Sequence, residues 1–313
     1  MKVSVVTAVY NTGKEVLETL DSVAKNGWED MEHLILDDAS TDDSVEIIRT
    51  YLERTGYRAT LELNPENKGI AYSRQALLER SRGAYYIGIA DDRMRPNRIK
   101  HSVEWMDRHP EVGVVFAMAH FFEHGTERSL GLSTKWEGAM GPDGVIDSRE
   151  LAQVLLKNNF IPAMTTTIRR EWLVRVGYDT SFLIEDYPLW IRLLCAGCKF
   201  GFVPEVWVDY RKTGTSVQVT RASRVALDAL RSKLLLLDSG LVENRLVLRE
   251  GWFFYFRKWT VFETQHRREA YTALSDVTPN KVHASIRGFL DYVVHFVRKR
   301  TTGKNASETH PIP

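Results

Sequence analysis

The fold is decided by one stretch, Tyr85-Tyr86-Ile87-Gly88-Ile89-Ala90-Asp91-Asp92, in which an apolar run passes directly into two adjacent carboxylates. A run this apolar predicts a strand buried on both faces of a sheet. Two charges at its end cannot be buried without a partner. Because ligands of open α/β sheets bind at the carboxyl ends of the strands, a divalent cation with oxygen ligands suits this pair. From this stretch alone, two interpretations are equally favoured: a metal–phosphate site, and a solvated turn before a helix that begins near Pro96.

Strand and helix patterns alternate on both sides of this stretch. Further strands are predicted at residues 3–9, 33–36, 59–63 and 112–119, with apolar residues at helical spacing between them. Short connections between alternating elements are typical of a mostly parallel sheet covered by helices. Right-handed crossovers then bring the turns that follow the strands to one edge. We expect Tyr10-Asn11, Asp37-Asp38 and Asp91-Asp92 to line one pocket there.

Composition and charge exclude some classes of protein. The chain has 313 residues and a formal net charge of +1, which does not indicate sequence-independent binding of nucleic acid. No apolar run is long enough to span a bilayer. The first residues enter a strand pattern directly and lack the features of a signal peptide. We therefore expect a cytoplasmic protein, with peripheral attachment at the inner face of the membrane as an alternative.

Five motifs in this order resemble glycosyltransferase family 2, whose members are inverting enzymes with a GT-A fold. They are Val3 to Asn11, Leu34 to Asp42, Asn67-Lys68-Gly69 with Arg74, Asp91-Asp92 with Pro96, and Glu185-Asp186 with the helix that follows. The resemblance covers roughly residues 1–218. Three positions depart from the family pattern: Gln75 replaces an Asn, Ile89 replaces the first Asp of the metal motif, and Thr213 replaces a His.

The resemblance implies a fold and a reaction. The fold is α/β, with a GT-A sheet that is mixed and mostly parallel and a helical extension at the C-terminus. The reaction is transfer of a sugar from a nucleotide-diphosphate sugar, UDP by default, to an acceptor hydroxyl with Mn²⁺ or Mg²⁺ as the cofactor. The acceptor can be a saccharide, a lipid, a protein or a modified nucleic acid. The departures at Ile89 and Thr213 motivate an alternative, a nucleotide-sugar-binding protein that has lost turnover.

The resemblance also implies roles for the acidic residues of the donor site. Asp92 would be the first ligand of the metal, and Asp91 would contact the ribose or the metal. Asp38 would accept a hydrogen bond from the base, with capping of the next helix as the alternative. Asp37 would contact the ribose or be structural.

Other donor contacts come from uncharged and cationic residues. Tyr10 would stack on the base at the end of the first strand, close to Ala8, and a buried core aromatic is the alternative. Lys68 and Arg74 would contact the diphosphate, with solvated helix charges as the alternative.

The second acidic pair would carry the chemistry on the acceptor. Asp186 would act as general base and remove the proton of the attacking hydroxyl, which gives inversion by direct displacement. Glu185 would position the acceptor or Asp186. The alternative for Asp186 is again a helix cap.

The C-terminal part changes character and predicts helices. We divide the chain into a GT-A domain at 1–218, a helical region at 219–300 and a flexible tail at 301–313. The helical region is rich in aromatics at 251–259 and ends in a striped helix with Phe289, Tyr292 and Phe296. Packing on the sheet as a lid or a homodimer interface is favoured over a membrane-surface helix, because aromatics at helical spacing are more often buried.

Overall fold

A computed structural model describes residues 3–133, 135–213 and 220–278. The strands are β1 (Val3–Val9), β2 (Met31–Asp37), β3 (Thr60–Leu63), β4 (Tyr85–Ile89), β5 (Arg93–Met94), β6 (Val112–Glu123), β7 (Ser129–Leu132), β8 (Thr167–Arg169) and β9 (Lys199–Lys212). The helices are α1 (Glu15–Ala24), α2 (Ser44–Thr55), α3 (Ile70–Arg80), α4 (Arg98–Arg108), α5 (Ser148–Lys157), α6 (Arg170–Val176), α7 (Asp186–Cys195), α8 (Ala222–Leu234), α9 (Asn244–Arg257) and α10 (Thr264–Val277).

The strands form one mixed sheet in the order β3-β2-β1-β4-β8-β6-β9-β5, and β7 pairs with β6. The strands β3, β2, β1 and β4 are parallel to one another, and β6 and β9 are also parallel to each other. Strand β8 is antiparallel to both β4 and β6, so it joins the two parallel parts. The mixed sheet predicted from the sequence is confirmed, with its longest parallel part in the N-terminal half.

Helices cover both faces of the sheet, so its central strands are buried on both sides. Along β4, Tyr86 packs in a cluster with α3, α5 and α7, while Tyr85, Ile87 and Ile89 pack in a second cluster with α4. Successive side chains of a strand point to opposite faces, and both faces here are apolar. This explains the unbroken apolar run of the sequence.

The described C-terminal helices pack on the rest of the chain. Helices α8, α9 and α10 share an aromatic cluster that includes Trp252 and Tyr255. Val247 of α9 belongs to the main core. Within the described residues no helix has the length and apolar character that crossing a membrane requires. The striped helix with Phe289 and the tail at 301–313 lie outside the described residues, and the dimer and membrane interpretations remain predictions.

Candidate functional site

The parallel strands bring the three predicted turns to one edge of the sheet. In the register of β1 with β2, Val9 lies beside Asp37, and in that of β1 with β4, Thr7 lies beside Ile89. The backbone N–H of Asp38 donates to the carbonyl of Val9 at 2.8 Å. The carboxyl ends of β1, β2 and β4 are therefore level with one another, and their turns leave the sheet side by side.

The pair Asp91 and Asp92 is held at this edge by β9. The backbone N–H of Arg211 donates to Asp92 Oδ1 at 2.8 Å, and Arg211 Nε donates to the Asp91 carbonyl at 3.0 Å. Asp92 is buried, and burial together with the neighbouring Asp91 raises the pKa of its carboxyl well above the ordinary value. Burial also raises the pKa of Asp91. Two repelling buried carboxyls form a place that a cation would stabilise.

The donor set fits a hard divalent cation that is completed by other oxygens. Two adjacent carboxylates are ligands that Mg²⁺ and Mn²⁺ accept, and Mg²⁺ is commonly held by one or two carboxylates plus phosphate oxygens and water. Within 3–133, 135–213 and 220–278, no three His, Cys, Asp or Glu side chains cluster closely enough to hold a metal by themselves. Phosphate oxygens of a ligand would therefore supply part of the coordination.

Ile89 does not remove a ligand from this site. Its side chain is fully buried in the apolar cluster on the α4 face of the sheet, together with Val5 and Val103. A carboxylate at this position would lie in the core, where an unpaired charge is costly. The departure from the family motif is thus compatible with a working metal site.

Asp38 organises the loop that precedes α3. Its carboxylate accepts hydrogen bonds from Asn64 Nδ2 at 2.7 Å, from the Lys68 N–H at 3.0 Å and from the Gly69 N–H at 2.7 Å. The Lys68 N–H also approaches Asp38 Oδ2 at 3.2 Å, so the roughly four acceptor positions of this buried carboxylate are engaged by the loop. Asp37 accepts from the backbone and the hydroxyl of Ser40 and has a clear structural role.

Tyr10 and Ala8 differ in what they offer a ligand. Tyr10 is 49% exposed at the edge, so the alternative of a buried core aromatic is wrong. Ala8 is buried in the main core, and its side chain faces away from solvent. Stacking on a base remains a prediction for Tyr10, while Ala8 can contribute only through its backbone.

Arg74 and Lys68 occupy different environments. Arg74 is buried, donates to the carbonyl of Val6 at 3.3 Å, and lies 3.9 Å from a carboxylate oxygen of Glu185. Its guanidinium crosses β4 at Gly88, where an added Cβ would come within 2.5 Å of it. The alternative of a solvated charge is therefore wrong for Arg74, whereas Lys68 is exposed.

The second acidic pair stands at the start of α7. Asn159 Nδ2 donates to Asp186 Oδ2 at 2.9 Å, and the N–H of Tyr187 donates to Asp186 Oδ1 at 2.6 Å. Burial raises the pKa of Asp186. Burial and the nearby charge of Asp186 raise the pKa of Glu185 to about 7. A carboxylate pair that shares a proton near neutral pH suits general base catalysis.

Arg74 links the strand that leads to the first acidic pair with the second pair. Its Nη2 donates to the carbonyl of Ile89 at 3.5 Å, two residues before Asp91, and its Nε lies 3.9 Å from a carboxylate oxygen of Glu185. Burial, and after it the charges of both pairs, raise the pKa of the half-buried Tyr210 on β9. That the metal candidate and the base candidate form one site stays a prediction.

Comparison with known proteins supplies the family. A sequence model of glycosyl transferase family 2 matches residues 4–177, more than half of the chain. The chain belongs to glycosyltransferase family 2. A putative teichuronic acid biosynthesis glycosyltransferase, TuaG of Bacillus subtilis, is 27% identical over 69% of this chain and 81% of that protein. The amylovoran biosynthesis glycosyltransferase AmsE of Erwinia amylovora is 25% identical over 78% of this chain and 90% of that protein.

Solved structures confirm the GT-A fold of this glycosyltransferase. TarS 1-349 of S. aureus in complex with UDP-GlcNAc superimposes with a TM-score of 0.65 and 15% identity, over 91% of this chain and 83% of that one. The mannosyltransferase PcManGT from Pyrobaculum calidifontis, in complex with GDP-Man and Mn²⁺, has a TM-score of 0.56 and 16% identity, over 97% of this chain and 88% of that one. At these identities the likeness concerns the fold.

Sequence reasoning missed two groups that support the site. Arg211 and Lys212 directly precede Thr213, one of the three departures from the family pattern, but they were given no role. Arg211 also pairs with Glu18, and the Lys212 ammonium lies 4.4 Å from the ring centre of Tyr210. Their signal was two adjacent cations next to that departure. The second group, Asn159 beside Asp186, had no signal because 27 residues separate the pair.

The raised pKa of Glu185 predicts that its carboxylate lowers the free energy of unfolding at neutral pH. The ordinary pKa is 4.5 and the folded value is about 7, so between these values the native state keeps a proton that the unfolded state has released. The free energy of unfolding should fall as pH rises through this window. We expect Glu185→Gln to raise the free energy of unfolding at pH about 8 by about 1–3 kcal/mol, with little change near pH 4.5.

Urea unfolding followed by circular dichroism at several pH values measures this effect. Glu171→Gln, at an exposed position of α6, is the matched control and should leave the pH dependence unchanged. If Glu185→Gln is no more stable than the wild type at pH about 8, the pKa of Glu185 is not raised in the native state.

Proposed function

We propose that this protein is a metal-dependent, inverting glycosyltransferase that uses a nucleotide-diphosphate sugar, with UDP as the nucleotide. The observation that supports this most is the position of Arg74, which donates to the Ile89 carbonyl at the end of β4 and lies 3.9 Å from Glu185 of the second acidic pair. One pair follows β4 and can share a cation with a diphosphate. The other begins α7 and can accept a proton. Sugar transfer needs both functions within one sugar's length of each other.

The donor would lie along the edge formed by β1, β2 and β4. Tyr10 would stack on the base, and Asp38 would accept an N–H of the base in place of the Asn64 side chain. Mn²⁺ or Mg²⁺ on Asp92 and Asp91 would neutralise the charge that develops on the leaving diphosphate. Lys212, next to Tyr210, would add a positive charge on the same side.

The acceptor hydroxyl would approach from the side of α7. Asp186 would remove its proton as the hydroxyl attacks the anomeric carbon, while the hydrogen bond from Asn159 keeps the carboxylate in place. Glu185 lies near Arg74, and the charge of Glu185 would orient Asp186. A single base opposite the leaving group gives inversion. The alternative, a binding protein without turnover, was motivated by the departures at Ile89 and Thr213. The first of these no longer supports it, since Ile89 lies in the core.

Release of nucleoside diphosphate from a panel of UDP- and GDP-sugars tests the proposal. We expect metal-dependent release with Mn²⁺ or Mg²⁺, and we expect Tyr10→Ala to weaken donor binding about tenfold, because stacking on a base contributes about 1–3 kcal/mol. Isothermal titration with UDP and Mn²⁺ measures the affinity. Tyr72→Ala, another exposed tyrosine, is the control. Unchanged affinity in Tyr10→Ala would place the base elsewhere, and no release from any donor would contradict the function.

A further inference from the structure

A cavity of about 720 Å³ lies beside the proposed site and has no role in the mechanism above. Three parts of the chain form its walls: the loop and first turn of α3 around Lys68, the loop at 180–183, and the beginnings of α8 and α10. Leu183 of this wall is two residues before Glu185. None of Tyr10, Asp91 or Asp92 lines the cavity, so it is outside the proposed metal–diphosphate position. Lys68, predicted to contact the diphosphate, lines this cavity instead.

The lining of the cavity is cationic. Lys68, Arg221, Arg224 and His266 contribute to it, against one carboxylate, that of Glu263, which is 76% exposed. Arg224 is paired with the buried Asp228 of its own helix at 3.2 Å. In the part of the chain that the structure describes, neither Lys68 nor Arg221 forms a salt bridge. Two cations therefore face the space without an acidic partner.

The helix ends differ in what they add to this potential. Helices α3, α8 and α10 all begin at the cavity, and the N-terminus of a helix carries roughly half a positive charge. Two of these ends have a carboxylate beside them, since Asp38 accepts from the Gly69 N–H before α3 and Glu263 directly precedes α10. The start of α8 has no side-chain cap and no acidic residue in its first turn. This end and two cations without an acidic partner around one cavity favour an anion.

Hydrogen bonds connect the wall of the cavity to the loop that precedes the general base. Asp228 is fully buried in α8, and its Oδ2 accepts from the Leu183 N–H at 2.6 Å. Arg224 donates to the carbonyl of Ser181 at 2.9 Å. The loop that leads to Glu185 and Asp186 is thus fixed to the helix that lines the cavity. A ligand in the cavity would be placed on the acceptor side of the base.

We propose that this cavity binds an anionic group, a phosphate or a carboxylate, of the acceptor substrate. The proposal rests on the proposed function, because it needs the acceptor to enter near Asp186. The acceptor class is then an anionic glycan or glycan phosphate, whose charged group lies in the cavity while its hydroxyl reaches the base. Lys68 and Arg221 would neutralise the anion directly.

Binding of inorganic tripolyphosphate, measured by isothermal titration without metal at low ionic strength, tests the cavity. We expect Arg221→Glu to weaken binding at least tenfold, because it replaces an attractive charge by a repulsive one. Arg245→Glu on α9 is the matched control, since that side chain is 82% exposed and outside the cavity, and it should change the affinity less than twofold. If Arg221→Glu fails to keep the wild-type melting temperature, Arg221→Gln replaces it, and this variant should weaken binding at least threefold because it removes the attractive charge.

The outcomes separate this inference from the proposed function. Equal affinities of Arg221→Glu and Arg245→Glu, or absence of binding, would overturn the anion site. Loss of binding in Lys212→Ala but not in Arg221→Glu would place the anion at the donor edge and would also overturn it. Nucleotide release by transfer to water should be unchanged in Arg221→Glu. A wild type that binds tripolyphosphate but releases no nucleotide from any donor would instead contradict the proposed function.

Discussion

Replacing Asp186 by Asn is expected to lower kcat by about 10²–10⁴-fold, the usual contribution of a positioned general base. The amide keeps the shape of the side chain and one acceptor oxygen for the Tyr187 N–H, and Asn159 can turn its own oxygen toward the new NH₂ group, so the loop should remain in place. It cannot take a proton from the acceptor hydroxyl. Donor affinity should stay within about twofold, because the base contacts the acceptor and not the nucleotide. Steady-state turnover and titration with UDP and Mn²⁺ measure the two quantities separately.

Two comparisons make this result specific to the base. Asp143→Asn, at an exposed position, should leave both kcat and affinity unchanged. In the wild type, kcat/KM should fall as pH drops below neutrality, because Asp186 and Glu185 have raised pKa values and the base must be deprotonated to act. If Asp186→Asn retains turnover within about fivefold, another group removes the proton.

The sequence predicts those parts of the site that follow from periodicity and chain direction. The apolar run before Asp91 could only be a buried strand, and its parallel neighbours had to end at the same edge. The sequence alone therefore predicts that Asp38, Tyr10 and Asp92 lie close together. Burial of a polar residue by distant packing has no such local signal. Arg74 lies over β4 because Gly88 leaves room for it, and neither residue type reveals this.

Contacts between distant segments account for most of what was missed. The hydrogen bond from Leu183 to Asp228 joins positions 45 residues apart and crosses the domain boundary that we place at residue 218. The sequence shows Asp228 only as one acidic residue in a helical pattern. Its burial shows that α8 supports the loop of the general base. Helix α8 thus holds the loop of the candidate base, while the lid and interface interpretations stay predictions.

Replacing Asp92 by Asn is expected to separate the stability of the apoprotein from its ability to bind metal. The amide still accepts from the Arg211 N–H but no longer repels Asp91, whose carboxylate is buried beside it. Without metal, the variant should be more stable than the wild type at neutral pH. The sign follows from the raised pKa of Asp92 in the folded state. Because the unfolded state releases this proton at a lower pH than the native state, the free energy of unfolding of the wild type falls as pH rises.

With metal the order should reverse. A ligand at about 100 times its Kd adds about 2.7 kcal/mol to the wild type, and Asn at position 92 removes an anionic ligand and with it most of this gain. Thermal melts with and without Mn²⁺ and UDP measure the reversal, and the electron paramagnetic resonance signal of free Mn²⁺ measures binding directly. We expect nucleotide release to fall at least 10²-fold in parallel, because the leaving diphosphate loses its neutralising charge. Asp143→Asn should behave as the wild type in all three measurements. An Asp92→Asn protein that binds Mn²⁺ with wild-type affinity would show that the cation is held by other residues, and the acidic pair after β4 would then have to be assigned to the ribose.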